Sequence, residues 1–185
     1  MTVYDNSIIR AMKQAYREDG YYVAAVGDYI VIRTHGWGVM INKDDVPNGI
    51  KSLIVLHNGA VPEDGTAVNL MKRECASVIP EVVTGVMDEL LEATHAVPIN
   101  PTRLTVDGLQ VWQVTETLEI KLVHPENQQI LDCIDCVGMM LVKGYLFQRT
   151  RFGSVYVLPE MVDPEDKPLL NHIAQMQLVG IGREA

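Results

Sequence analysis

A basic strip near the start of the chain is the first feature whose residue types and spacing could do chemistry. Arg10, Lys13 and Arg17 stand at i, i+3 and i+7, so a helix over this segment places all three cations on one face. Ile8 and Met12 would lie on the opposite face. Cations in such a row bind phosphates of nucleic acid. An amphipathic helix with an ordinary solvated face has the same pattern, and we expect this second explanation to hold.

A Cys-x-x-Cys pair, Cys133 and Cys136, could be redox-active or could bind a metal. A structural zinc site needs four ligands, and neither a second Cys-x-x-Cys nor a helical histidine pair is present in the sequence. The pattern therefore favours two small residues that face the core. We predict no metal site and no cofactor.

One histidine, His57, lies at the end of a predicted strand, and Asp44 and Asp45 lie in a predicted loop before that strand. Imidazole and carboxylate groups can together perform general acid–base catalysis. Turn formation is the more ordinary role of loop carboxylates. The sequence has no Walker A loop, no G-x-G-x-x-G, no H-E-x-x-H and no G-x-S-x-G, which removes the common nucleotide-binding, metalloprotease and hydrolase classes. We expect a protein that is not an enzyme, with an unrecognised site at these three residues as the alternative.

Two aromatic residues occupy predicted hairpin tips. Trp37 is flanked by Gly36 and Gly38, and Phe152 precedes Gly153 in the comparable turn further along the chain. Exposed aromatic rings are enriched at protein contacts, so both residues are candidate partner-binding residues. A Trp37 ring folded back over the sheet is the equal alternative.

The elements that must position these residues alternate between β-rich runs and helical patterns, which predicts an α+β fold with mostly antiparallel sheet and about four helices. A single domain is predicted over residues 1–185. The predicted strands are Met1–Tyr4, Tyr21–Ala25, Tyr29–Thr34, Val39–Asn42, Ser52–Asn58, Arg103–Val106, Gln110–Val123, Met139–Val142, Tyr145–Thr150 and Val155–Leu158. The predicted helices are one from about Ile8 to Gly20, two within residues 66–93, Asn127–Cys136 and one that opens at Asp163 and turns Leu169, Leu170, Ile173 and Met176 inward.

An internal repeat relates two parts of the chain. Tyr29–Thr34 matches Tyr145–Thr150 at an offset of 149 − 33 = 116 residues, and the offset holds through the following turn to Val39 and Val155. The repeat predicts halves over residues 1–58 and 117–162, each ordered strand, helix, strand, strand, with a helical insertion at residues 66–93. Either duplication of this unit or two ordinary aromatic and β-branched hairpins explains the match.

In element order alone, such a duplicated unit resembles one domain of the DNA sliding clamps, the polymerase processivity factors. The resemblance covers a little over half of the chain, and no sequence motif accompanies it. It implies a DNA-associated accessory factor whose basic helices line a channel, with Arg10, Lys13 and Arg17 as the phosphate contacts. The helix of the second half carries Asp132 and Asp135 at such positions, which disfavours DNA.

The charge balance also disfavours nucleic acid and anionic membranes as partners. Lys and Arg total 15 against 24 Asp and Glu, a net charge of −9 over 185 residues. Three cysteines, no targeting signal and no long apolar run predict a cytoplasmic protein that does not span a membrane. We therefore expect a non-enzymatic protein that acts through protein–protein contacts as a homo-oligomer, with the clamp-like DNA accessory factor and the enzyme as alternatives.

Overall fold

The chain forms an α+β fold with antiparallel strand pairing, as predicted. A computed structural model describes residues 3–131, 138–150, 153–161 and 167–175. The chain divides into two compact units: unit 1 comprises Met1–Glu92 and Arg149–Tyr156, and unit 2 comprises Ala93–Gln148 and Val157–Ala185. No helix among the described residues is long and apolar enough to cross a membrane.

Unit 1 is built on a three-stranded meander with helices before and after it. Its elements are α1 (Val3–Arg17), β1 (Tyr21–Val26), β2 (Tyr29–Arg33), β3 (Trp37–Asn42), a 3-10 turn (Lys43–Asp45), α2 (Asn48–Asn58), β4 (Thr66–Met71), β5 (Glu74–Val78) and α3 (Pro80–Leu91). A further strand, β11 (Gly153–Val157), adds to the sheet beside β3, which gives the order β5-β4-β1-β2-β3-β11.

Helices cover both faces of the unit 1 sheet. On one face Val83 of α3 packs in a cluster with Ala24, Val31 and Ala67 from three neighbouring strands. Successive side chains of a strand point to opposite faces, so Tyr21 of β1 points away from this cluster, toward α1 and α2. Burial on both faces hides the alternation that usually identifies a strand in a sequence.

Three predictions in unit 1 differ from the structure. The predicted strand Ser52–Asn58 is wrong, because these residues belong to α2, which buries Ile50, Leu53 and Ile54 at helical spacing. The helical insertion at residues 66–93 is wrong in its first half, because Thr66–Val78 forms the β4–β5 hairpin. Pro80 does open a helix, α3. The predicted strand at Met1–Tyr4 is wrong at Val3 and Tyr4, which lie in α1, and its first two residues lie outside the described residues.

Within the described residues, unit 2 holds the remaining strands and two short helices. Its elements are β6 (Val97–Val106), β7 (Leu109–Val114), β8 (Ile120–Val123), α4 (Pro125–Leu131), β9 (Met140–Val142), β10 (Tyr145–Thr150) and α5 (Lys167–Ala174), with strand order β10-β9-β6-β7-β8. A two-residue hairpin turn at Asp107 and Gly108 joins β6 to β7, and both residues have positive φ angles, 49° and 81°. That geometry suits the Asp-Gly pair of a two-residue hairpin turn.

Two predicted helices of unit 2 differ at their ends from the observed ones. α4 ends at Leu131 within the described residues, and the rest of the predicted helix, with Cys133 and Cys136, lies outside them. Asp163 and Met176 also lie outside the described residues. In α5 Leu170 is buried, but Leu169 is 52% exposed, so its predicted inward orientation is wrong.

The segments matched by the internal repeat are strands in both copies. Tyr29–Arg33 is β2 and Tyr145–Thr150 is β10, and the next strand in each copy is β3 or β11. In each copy a helix, α1 or α4, precedes three strands. The observed order is therefore helix followed by three strands, where the sequence predicts strand, helix, strand, strand.

Candidate functional site

The outer strand of unit 1, β5, is an open sheet edge. It pairs with β4 in an unbroken antiparallel register, from Ala67 opposite Val78 to Met71 opposite Glu74. In the described part of the chain no strand other than β4 pairs with it. Glu74, Cys75 and Ser77 are exposed, whereas Val78 is half-buried. We call Glu74–Val78 the contact edge.

The hairpin turn determines which backbone groups of the contact edge face outward. A two-residue turn, Lys72–Arg73, joins the strands, so the flanking residues Met71 and Glu74 form a hydrogen-bonded pair. Hydrogen-bonded and non-hydrogen-bonded pairs alternate along an antiparallel ladder. The N–H and C=O groups of Cys75 and Ser77 therefore point away from β4.

The contact edge has few of the features that prevent strand addition. Natural edge strands are commonly blocked by inward charges, proline, bulges or a covering element. β5 has one charged residue, Glu74 at its start, and no proline or bulge. Directly after it, Ile79 is 64% exposed and Val82 is 42% exposed, so the edge ends in apolar surface.

A histidine–tyrosine cluster ties α2 to the sheet beside the contact edge. The His57 ring stacks on Tyr16 of α1, with 3.6 Å between ring centroids and 6° between planes. The Tyr21 hydroxyl lies 2.8 Å from His57 Nδ1. Burial raises the pKa of Tyr21 far above its ordinary value, so the phenol stays protonated and can donate this hydrogen bond. Burial, and then the charge of Lys13, lower the pKa of His57, which favours the neutral imidazole.

The same cluster reaches the contact edge through the next residue. Asn58 follows His57 at the end of α2, and its Oδ1 accepts a 3.2 Å hydrogen bond from Cys75 Sγ. Asn58 Nδ2 donates to the Ala60 carbonyl at 2.8 Å. His57 and Asn58 thus hold the α2 side of the contact edge in place. Local sequence patterns do not indicate this role, because Tyr21 and His57 are 36 residues apart and the pattern around His57 predicts a strand.

The structure does not bring His57 together with the carboxylates that were its expected catalytic partners. Asp44 and Asp45 are exposed in the 3-10 turn before α2, and Asn42 caps this turn. His57 lies in the last turn of α2, and the nine residue steps from Asn48 to His57 span about 13 Å along the helix. Among the described residues no group of three or more His, Cys, Asp or Glu side chains could hold a metal ion.

The basic strip lies on α1 as predicted, and the structure extends it. Arg10, Lys13 and Arg17 are exposed, whereas Ile8 and Met12 on the other side of α1 are fully buried. The Lys72 N–H donates to the Tyr16 carbonyl at 2.9 Å. The exposed turn residues Lys72 and Arg73 therefore lie at the C-terminal end of α1. The sequence pattern predicts a helix at these two residues and therefore gives no sign of this junction.

The two aromatic tip residues do not form a matched exposed pair in the described structure. Trp37 is the first residue of β3 and is only 5% exposed, so its ring folds back against the sheet, the second of the two alternatives. Phe152 lies outside the described residues, as do Asp132 and Asp135.

Unit 2 contains an open groove of about 540 Å³ between β8 and α5. Ile120, Leu158 and Leu170 are among its apolar lining residues, and Lys121 and Glu160 are among its charged ones. Glu160 also forms an isolated bridge with Leu122 of β8, in which the Glu160 N–H donates to the Leu122 carbonyl at 2.8 Å. The residues of this groove therefore cover part of the β8 edge.

No family model, no curated protein and no solved structure matches this chain. The geometry of the contact edge is therefore the basis of the functional proposal.

Proposed function

We propose that this protein is non-enzymatic and acts through protein–protein contacts as a homo-oligomer, with the contact edge as the interacting surface. One observation carries the proposal: β5 is an exposed edge strand without proline, bulge or covering segment in the described structure. Strand addition to such an edge is a common mode of protein recognition, in which backbone hydrogen bonds supply affinity.

The outward backbone groups can support an appreciable affinity. Cys75 and Ser77 together offer two N–H donors and two C=O acceptors. Each new hydrogen bond contributes about 1 kcal/mol net, so four contribute roughly 4 kcal/mol. Burial of Ile79 and Val82 would add to this, since an apolar side chain contributes about 25 cal/mol for each Å² removed from water.

Replacement of Ser77 by proline tests the proposal directly. Ser77→Pro removes an outward N–H and leaves the ladder with β4 intact, because the Ser77 N–H does not bind β4. Sedimentation velocity over a range of concentrations should show self-association of the wild type and its loss in Ser77→Pro. Ser77→Ala retains the N–H and should self-associate like the wild type. A wild type that stays monomeric at high concentration, or a proline variant that associates normally, would overturn the proposal.

A second candidate function, a clamp-like DNA accessory role, is favoured by the junction of the basic strip with the Lys72–Arg73 turn. These exposed cations form a basic surface on an acidic chain. If Arg10, Lys13 and Arg17 each neutralise one phosphate, log K should fall with log salt at a slope of about −3 on duplex DNA. Fluorescence anisotropy with labelled duplex and single-stranded DNA at low ionic strength tests this role. Absence of salt-dependent binding would overturn it.

A further inference from the structure

The flanks of the contact edge carry opposite charges. Lys72 and Arg73 precede it in the hairpin turn, and Glu81 follows it in the first turn of α3. All three side chains are exposed. Glu74 is the sole charge within the strand itself. An edge with a basic beginning, a largely neutral middle and an acidic end is complementary to an antiparallel copy of itself.

We propose that two copies of this chain pair through their contact edges in an antiparallel register with Ala76 on the two-fold axis, an inference that rests on the proposed function. In this register all five residues of β5 find a strand partner. Glu74 lies opposite Val78 of the second copy, Cys75 lies opposite Ser77, and Ala76 lies opposite Ala76.

The outward backbone groups agree with this register. Cys75 and Ser77 carry the outward N–H and C=O groups, and here each lies opposite the other, as in a hydrogen-bonded antiparallel pair. Two-fold registers centred on Cys75 or on Ser77 also align outward groups, but they overlap only three residues of β5. The Ala76 register is the one with full strand overlap.

The same register brings the opposite charges of the two copies together. Arg73 lies opposite Ile79 of the second copy, and Lys72 lies opposite Pro80, next to Glu81. The two-fold axis repeats this contact, so each dimer has two basic turns beside two Glu81 carboxylates. Charges at the rim of an interface mainly select register and partner. Lys72, Arg73 and Glu81 are therefore the specificity-determining residues of the pair.

Disulfide trapping tests which residues of the two copies lie opposite each other. Directly opposite residues in a hydrogen-bonded pair have Cα atoms about 5.5 Å apart, which a disulfide can bridge. In a Cys133→Ser/Cys136→Ser background, mild oxidation with copper–phenanthroline should cross-link Ser77→Cys dimers much faster than the parent. The new bonds join the introduced thiol to Cys75 of the second copy. If the parent cross-links through Cys75 faster than Ser77→Cys does, the register is centred on Cys75. If Cys75→Ser/Ser77→Cys cross-links faster than Ser77→Cys, the register is centred on residue 77. Either result would overturn the inference.

Charge exchange tests whether the Lys72–Arg73 turn of one copy pairs with Glu81 of the other. Glu81→Lys and the double variant Lys72→Glu/Arg73→Glu should each weaken self-association about tenfold, because each creates like-charge contacts in its own dimer. An equimolar mixture should restore wild-type association, since both contacts in the mixed pair are attractive. Asp88→Lys, two turns further along α3, should associate like the wild type. A mixture that is no stronger than either variant alone would overturn the inference.

The two proposals fail in different ways. If Ser77→Pro abolishes association while the cross-link and the charge exchange fail, the contact edge is the surface and the register is wrong. If Ser77→Pro leaves a stable oligomer unchanged, the proposed surface fails together with the register.

Discussion

The edge strands β5 and β8 differ in how far other parts of the chain cover them. β8 in unit 2 is bridged by Glu160, and Leu170 of α5 packs with Val111, Ile120 and Leu122 against it. Three of the four β8 residues are buried. β5 in unit 1 has no bridge in the described structure, and three of its five residues are exposed. One chain thus contains a covered edge and an open one.

The contrast between the two edges supports the proposed role of the contact edge. A single bridging residue and the short helix α5 cover part of β8. An exposed edge invites aggregation, so natural proteins usually block it. An edge that is left without proline or bulge in the described structure is therefore a reasonable surface for the proposed pairing.

Proline substitution at matched outward positions should separate the two edges most strongly. Leu122→Pro in β8 removes a buried side chain and a backbone donor at the Glu160 bridge, so we expect a loss on the order of 5 kcal/mol in the free energy of unfolding. At a protein concentration where both proteins are monomeric, Ser77→Pro in β5 should change this free energy by less than about 1 kcal/mol, because the Ser77 N–H of the monomer faces solvent. Urea unfolding followed by circular dichroism measures both.

This first prediction has a clear contrary result. A loss of several kcal/mol in Ser77→Pro would mean that the N–H of residue 77 has a partner in the folded monomer. The β5 edge would then be covered like the β8 edge.

Truncation of the side chain that covers β8 should have the next largest effect. Leu170 is 5% exposed and packs on Ile120 and Leu122, so Leu170→Ala should lower the free energy of unfolding by about 3 kcal/mol. Its neighbour Leu169 is 52% exposed. Leu169→Ala should therefore change the same quantity by less than about 1 kcal/mol. Equal effects in urea unfolding would show that α5 does not cover β8 through Leu170.

The open edge strand β5 could not be predicted from the sequence, in contrast to another hairpin of the same chain. The hairpin between β6 and β7 was predictable because Asp107 and Gly108 are strong turn residues. The turn between β4 and β5, Lys72–Arg73, has no such signal, and its flanking apolar residues fit a helical stripe. The contact edge was therefore assigned to a helix and could not be considered as a site.

The individual site residues also differ in whether a local sequence pattern could place them. Local spacing on one helix correctly placed Ile8 and Met12 inward and Arg10, Lys13 and Arg17 outward. The strand assigned to His57 was wrong, because the Ile-, Val- and Leu-rich segment around it fits a strand as well as a buried helix. Its bond to Tyr21 depends on tertiary packing, which no local pattern in the sequence encodes.

The two units also differ in the hydrogen bond that fixes a helix to the sheet. This difference predicts the smallest of the effects, a pH dependence of the stability of unit 1. In unit 2, Trp112 Nε1 donates to Gln128 Oε1 of α4 at 2.9 Å, and neither group titrates. In unit 1, the Tyr21 hydroxyl shares a hydrogen bond with His57 Nδ1, and the pKa of His57 is lowered from 6.5 by burial and by Lys13. A lowered histidine pKa means that the unfolded chain binds the proton more tightly, so acid should destabilise unit 1 through this residue.

The contribution of His57 to stability should therefore be complete above about pH 6.5 and should decline as the pH falls toward the folded-state pKa. Urea unfolding at about pH 7.5 and about pH 5.5 measures this decline. His57→Gln should lose less stability than the wild type over this interval, whereas a His35→Gln control at an exposed position should follow the wild type. Asp64, whose pKa is lowered by its hydrogen bond to Lys43, loses its contribution at lower pH, outside this interval.

Because His57 adjoins Asn58, which binds Cys75, acid should also weaken association through the contact edge in the wild type but not in His57→Gln. Equal pH dependence of association in the two proteins would separate the cluster from the edge.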